Sequence, residues 1–189
     1  SNGDRHAITG LPPIQAKRQG GLLDVAVLKQ DDSSYSVYFC YSKPLAGGSV
    51  TAIDRAELEG TSLVKRQTIF VANKISQNAI HYGCRLVLDR KYIYASLGER
   101  GERYDAQDAA LHAGVIIRLH DDGRIPQDNP KESGWAPEVF SMGHRNPQGM
   151  AIHPGTGRLW IHEHGPRGGD EINIISPGAN YGWPTVSHG

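Results

Sequence analysis

GCRLVLDRKYIYASLGERG, residues 83–101, reads as an apolar run, a polar turn, a second apolar run and an exit of small and polar residues. RLVLD and YIYASLG are short, rich in Val, Ile, Tyr and Leu, and bounded by Gly or Asp, the pattern of paired β-strands. The same order recurs in GLLDVAVLKQDDSSYSVYFCYS (21–42) and QGMAIHPGTGRLWIHEHG (148–165). Taking Asp24, Arg85 and Gly149 as equivalent gives a repeat of roughly 60 residues. A second pair of strands is expected after each, marked by VTAIDRA (50–56), VIIRLHDDG (115–123) and EINIISPG (171–178). Four-stranded units that bury their faces only against neighbouring units are propeller blades. The expectation is an all-β chain, residues 1–189 forming one partial propeller domain of about three blades. A ring needs roughly four to eight blades, so the chain is expected to be a fragment or to be completed by another chain.

The bulk composition agrees. The 23 glycines and 11 prolines, without low complexity, call for many tight turns between short strands. Long helical periodicity is missing; the best helical candidates are AIDRAELEG (52–60) and DAQDAALHAG (105–114). Twenty basic and twenty acidic residues cancel with no block of like charge, which argues against a nucleic-acid or anionic-membrane surface. No run approaches the ~20 apolar residues of a membrane helix. Cys40 and Cys84 lie in β-like runs and read as two buried thiols, a disulfide being the alternative; no CxxC pattern points to metal or redox use.

Gln19, His81 and Arg145 fall at nearly one phase of the repeat, each just before the first strand of its unit. In a propeller such entry loops converge at one end of the central channel, where distant polar side chains make a ligand site. Asn146 and Gln148 crowd the third position. His162 and His164 form an H-x-H that a zinc site could use, but no third nitrogen or sulfur ligand stands at suitable spacing.

QGGLLDVAV (19–27), IHYGCRLVLD (80–89), LGERG (97–101), YDAQD (104–108), GHRNPQGMAIHP (143–154), HEHGPRGGDEIN (162–173) and PGANYGWP (177–184) together resemble, in order, the soluble quinoprotein sugar dehydrogenases. These are pyrroloquinoline quinone (PQQ)-dependent aldose sugar dehydrogenases related to soluble glucose dehydrogenase. The resemblance implies a six-bladed propeller, of which this chain covers the N-terminal half. It also implies oxidation of an aldose at C1, with hydride transfer to PQQ.

On that resemblance His81 is the general base, and Glu99 orients and stabilises it. An imidazole suits the role because it titrates near neutrality. Gln19 lies near substrate and cofactor, and Arg145 and Asn146 contact the reactive carbonyl region of the quinone. Gln148 stays open between cofactor contact and local packing. Ca²⁺ prefers oxygen donors, and the resemblance supplies them from the main-chain carbonyls of Gly165 and Pro166, where the ion would polarise the quinone. Glu171 and Tyr181 match positions that hold a second, structural Ca²⁺, the tyrosine by its main-chain oxygen, and Asp170 either assists or caps the turn. Cys84 stands where relatives carry a small residue.

The family's later blades carry a lysine and arginines that neutralise the cofactor's carboxylates, so this chain alone is expected to bind PQQ weakly and to show negligible activity. The resemblance further implies a periplasmic or secreted location and an aldose partner; it names neither the sugar nor the electron acceptor. The alternative is a non-catalytic propeller of the same superfamily that binds a protein or glycan. The joint presence of His81, Arg145, Asn146, Gly165 and Pro166 favours the enzyme.

Overall fold

The computed structural model describes residues 3–30, 34–89 and 92–187. Turn positions 31–33 and 90–91, expected from the strand pattern, lie outside them. Three antiparallel sheets follow one another along the chain. The first is a meander of β1 (Leu22–Lys29), β2 (Tyr35–Leu45), β3 (Gly48–Glu59) and β4 (Ser62–Val71). The second repeats that order with β5 (Leu86–Asp89), β6 (Tyr92–Leu97), β7 (Val115–His120) and β8 (Val139–Met142). The third comprises β9 (Pro147–Ile152), β10 (Leu159–Glu163) and β11 (Glu171–Ile174).

β1 packs beside β5 and β5 beside β9, so the first strands of successive sheets are neighbours. The equivalent positions of the sequence repeat meet there. Arg85 Nη1 donates to Asp24 Oδ1 at 3.0 Å, its Nε to the Gln148 carbonyl at 3.2 Å, and the Leu86 amide to Asp24 Oδ2 at 2.7 Å. This is the blade arrangement of a β-propeller, with each first strand innermost.

The middle sheet shows why the strands read as nearly continuous apolar runs. Ile93, Ala95 and Leu97 of β6, with Val115, Ile117 and Leu119 of β7, pack against Tyr38, Cys40, Ile53 and Phe70 of the first sheet. Tyr94, Ile116 and Phe140, on its other face, pack against Met150, Leu159 and Ile161 of the third. Strand alternation therefore sends side chains into two different cores, each fully buried large side chain contributing about 1.5–3 kcal/mol.

Three expectations are corrected. AIDRAELEG is strand over residues 52–59, the body of β3, because it pairs along both edges with β2 and β4; its helix formers are overridden by a ladder on either side. DAQDAALHAG yields only the end of a 3-10 turn, Arg103–Gln107, followed by turns and bends. Cys40 and Cys84 are joined in a disulfide with a Cα–Cα distance of 6.6 Å. It staples β2 to the residue preceding Arg85, closing a sequence separation of 44 residues, a span for which chain entropy alone stabilises by about 3–4 kcal/mol. Among the described residues no helix is long and apolar enough to cross a membrane.

Between the first two sheets His112 packs on Phe70 at 4.9 Å between ring centroids. Its Nδ1 accepts the Asn73 amide at 3.2 Å, which leaves the proton on Nε2, facing Glu138 Oε2 at 3.3 Å. That hydrogen bond holds the Glu138 carboxyl below its ordinary value of 4.5. A carboxylate depressed in the folded state stabilises above its unfolded pKa and loses that stability as pH falls through the folded value. Thermal melts from pH 6 to pH 3 are expected to show wild type losing more stability below about pH 4.5 than Glu138→Gln; parallel curves would remove this pair from the acid sensitivity.

Candidate functional site

The turn that leaves β6 organises the site. Gly98 is required by close approach, since a Cβ there would run into the His81 carbonyl and lie 2.9 Å from Asn146 Oδ1. The next residue, Glu99, is 2% exposed and places Oε1 2.5 Å from His81 Nδ1. Its amide donates to the Arg145 carbonyl at 2.9 Å. One turn thus joins the entry loop of the second sheet to that of the third. Engaging Nδ1 with the carboxylate leaves Nε2 as the ring nitrogen for other partners.

The remaining expected residues distribute around this pair. Gln19 reaches it through the main chain: its Oε1 accepts the His81 amide at 2.7 Å, while its own amide donates to the Ala79 carbonyl at 3.0 Å. Asn146, 3% exposed, accepts the Gly83 amide at 3.3 Å and braces the same loop. Arg145 donates from Nη1 to the His164 carbonyl at 3.0 Å, and its guanidinium lies 5.4 Å from the Trp183 ring centroid. Gln148 Oε1 is 2.9 Å from His164 Nε2, so this side chain is engaged locally on the exposed side.

Gly165 and Pro166 line a small cleft with Arg145, Glu171 and Trp183. The Gly165 amide donates to Asp170 Oδ1 at 2.9 Å, which fixes the turn, and neither the Gly165 nor the Pro166 carbonyl accepts a hydrogen bond among the described residues. Glu171 Oε2 accepts from Asn173 at 3.0 Å. Tyr181 is not part of that lining; its ring stacks on His144 at 4.7 Å and its hydroxyl donates to the Ile174 carbonyl at 2.8 Å. His162 lies across Gly149, while His164 is drawn to Gln148 and Asp170. Among the described residues no three His, Cys, Asp or Glu side chains are grouped to hold a metal ion.

The sequence matches the glucose/sorbosone dehydrogenase family over residues 1–189. The chain belongs to that family. A relative, the aldose sugar dehydrogenase YliI of Escherichia coli (strain K12), is 43% identical over 188 residues, covering 96% of this chain and 51% of the relative. The soluble aldose sugar dehydrogenase of Escherichia coli, solved in the apo form, superposes with a TM-score of 0.91 at 41% identity, over 97% of this chain and 55% of that one. The PQQ-bound aldose sugar dehydrogenase of Streptomyces coelicolor superposes with a TM-score of 0.77 at 33% identity, over 93% and 52% respectively. The chain therefore spans about half the length of these glucose/sorbosone dehydrogenase relatives.

A buried group that the sequence pattern does not single out supports the third loop. Glu163 is 5% exposed and takes the Arg145 amide at 2.6 Å, His144 Nδ1 at 2.9 Å and Asn173 Nδ2 at 3.1 Å. Burial pushes its carboxyl up, but the His144 hydrogen bond and charge, the Arg145 amide and Asn173 outweigh it and hold it below the ordinary glutamate range. His144 completes the chain with Nε2 2.9 Å from Ser141 Oγ. A signal exists, since His144 adjoins Arg145 and Glu163 splits H-x-H. An ordinary strand carboxylate reads the same way until its burial is known.

Gly98→Ala is expected to displace the His81 carbonyl and Asn146 together. Overpacking of this kind costs about 1–3 kcal/mol, readable as a lowered denaturant midpoint. An unchanged midpoint would mean the turn yields freely.

Proposed function

We propose that this chain carries the reactive half of a PQQ- and Ca²⁺-dependent aldose dehydrogenase that oxidises its sugar at C1. The observation that supports it most is the His81–Glu99 pair, a buried carboxylate orienting a partly exposed imidazole beside the Arg145 loop. His81 Nε2 takes the proton of the anomeric hydroxyl as the C1 hydrogen departs with its electron pair, and Glu99 stabilises the resulting imidazolium. PQQ would supply the two-electron acceptor for that hydride, with Ca²⁺ as the Lewis acid beside it.

The residues present fit both groups. Buried polar atoms seldom stay unpaired without cause, yet Glu99 Oε2, Arg145 Nε and Trp183 Nε1 have no partner among the described residues. Arg145 and Asn146 would hold the quinone's polar edge, with Gln19 and Gln148 at its margin. The Gly165 and Pro166 carbonyls are hard oxygen donors of the kind Ca²⁺ prefers. Glu171, and Tyr181 through its main-chain oxygen, are assigned to a second Ca²⁺. Relatives named as aldose sugar dehydrogenases, one of them PQQ-bound, support the same reading. The Cys40–Cys84 disulfide suits an oxidising compartment such as the periplasm.

The test is aldose-dependent dye reduction with PQQ and Ca²⁺, in the polypeptide long enough to close the ring. His81→Ala is expected to lower kcat by about 10²–10⁴-fold while cofactor absorbance still reports PQQ binding. A variant retaining wild-type kcat, or a wild type that oxidises no aldose, would overturn the proposal.

A further inference from the structure

Glu99 and Arg100 are adjacent in sequence and turn to opposite jobs. Glu99 meets the imidazole of His81, whereas Arg100 grips the main chain that carries it. Arg100 is 2% exposed. Its Nε donates to the Ile80 carbonyl at 3.0 Å, Nη1 to the Ser49 carbonyl at 3.0 Å and Nη2 to the Asn78 carbonyl at 2.5 Å. The guanidinium lies over the Tyr82 ring, 3.6 Å from its centroid, and the Arg100 amide donates to the His81 carbonyl at 3.3 Å. Three alternate stations of the His81 loop, residues 78, 80 and 82, and β3 of the first sheet are therefore tied to one side chain.

Such burial is unusual. Among the described residues no carboxylate forms an ion pair with Arg100, and burial lowers its pKa. An unpaired buried cation opposes folding, so a loop held only for packing would be better served by an apolar side chain. What the guanidinium adds is direction. Its planar fork offers donors on several sides at once and a flat face for an aromatic ring, which a lysine ammonium lacks. The loop it holds needs holding, because His81 itself has φ 48°, in the left-handed region that a side-chain-bearing residue occupies only when its surroundings impose it.

We propose that Arg100 is a positioning residue for His81: its guanidinium locks residues 78–82 onto the first sheet, so that the imidazole can face Glu99 and a substrate hydroxyl together. The assignment of His81 as base rests on the function proposed above; the locking of its loop does not. Tyr82 serves as the platform, its hydroxyl 2.7 Å from Ser49 Oγ.

The test compares wild type with Arg100→Lys and Arg100→Ala in the ring-closed protein loaded with PQQ and Ca²⁺. Arg100→Lys is expected to exchange the His81 amide about tenfold faster, since that amide reports local opening of the loop. It is also expected to lower kcat about 10–100-fold, the scale of an ångström-level misplacement of a reacting group, with KM and PQQ affinity near wild type. Free guanidinium should restore part of the kcat lost in Arg100→Ala. If Arg100→Ala does not fold, Arg100→Lys decides by exchange and by kcat. Wild-type exchange at His81 in a folded Arg100→Lys would overturn the inference, as would unchanged kcat. If wild type oxidises no aldose, the proposed function fails and the exchange measurement alone decides whether Arg100 locks the loop.

Discussion

The site depends on one short turn, Gly98–Glu99–Arg100, wedged between two blades. Its first residue has no side chain because the His81 carbonyl fills that space; its second bonds an imidazole with its carboxylate and a neighbouring blade with its amide; its third binds the carbonyls of the loop behind. The entry loops of the second and third sheets are thereby fixed to each other through main-chain atoms. Gln19 extends the same linkage to the first sheet. Precision in the position of His81 comes from these hydrogen bonds, whose loss would leave buried partners unsatisfied.

The sheets supply the rigidity on which such a turn can act. Because the middle sheet is covered on both faces, a shift of β6 would disturb two cores at once. Arg85 joins all three innermost strands, and the disulfide fastens the residue before it to β2. Function is carried by the loops, while order is carried by the strands beneath them.

Most strands are legible in the sequence as runs of alternating or continuous apolar residues, and the repeat phase alone is enough to place Asp24 and Gly149 on the first strands of their sheets and Arg85 at the entry to the strand between them. β3 reads partly as helix because Ala, Glu and Leu favour helices locally, and only its two flanking strands reveal the ladder. The disulfide stands in the sequence only as the alternative to two buried thiols, because pairing is a fact of three dimensions and two cysteines 44 residues apart give no spacing signal. Gln19, His81 and Arg145 share one phase of the repeat, and their loops are hydrogen-bonded to one another through Glu99 and the His81 amide. Arg100 and Glu163 do not stand out in the same way, since exposed and buried charges look alike in sequence. Burial, which no pattern in LGERG or HEH encodes, separates a solvated arginine from one spread across three carbonyls.

On the proposed function, the loops at Gln19, His81, Arg145 and Gly165 enclose a single redox centre. A crystal structure of the ring-closed protein soaked with PQQ and Ca²⁺ tests it most directly. The expected result is a calcium ion on the Gly165 and Pro166 carbonyls and a quinone between Arg145 and His81. A quinone bound elsewhere, or a calcium ion held only by carboxylates remote from that turn, would contradict it.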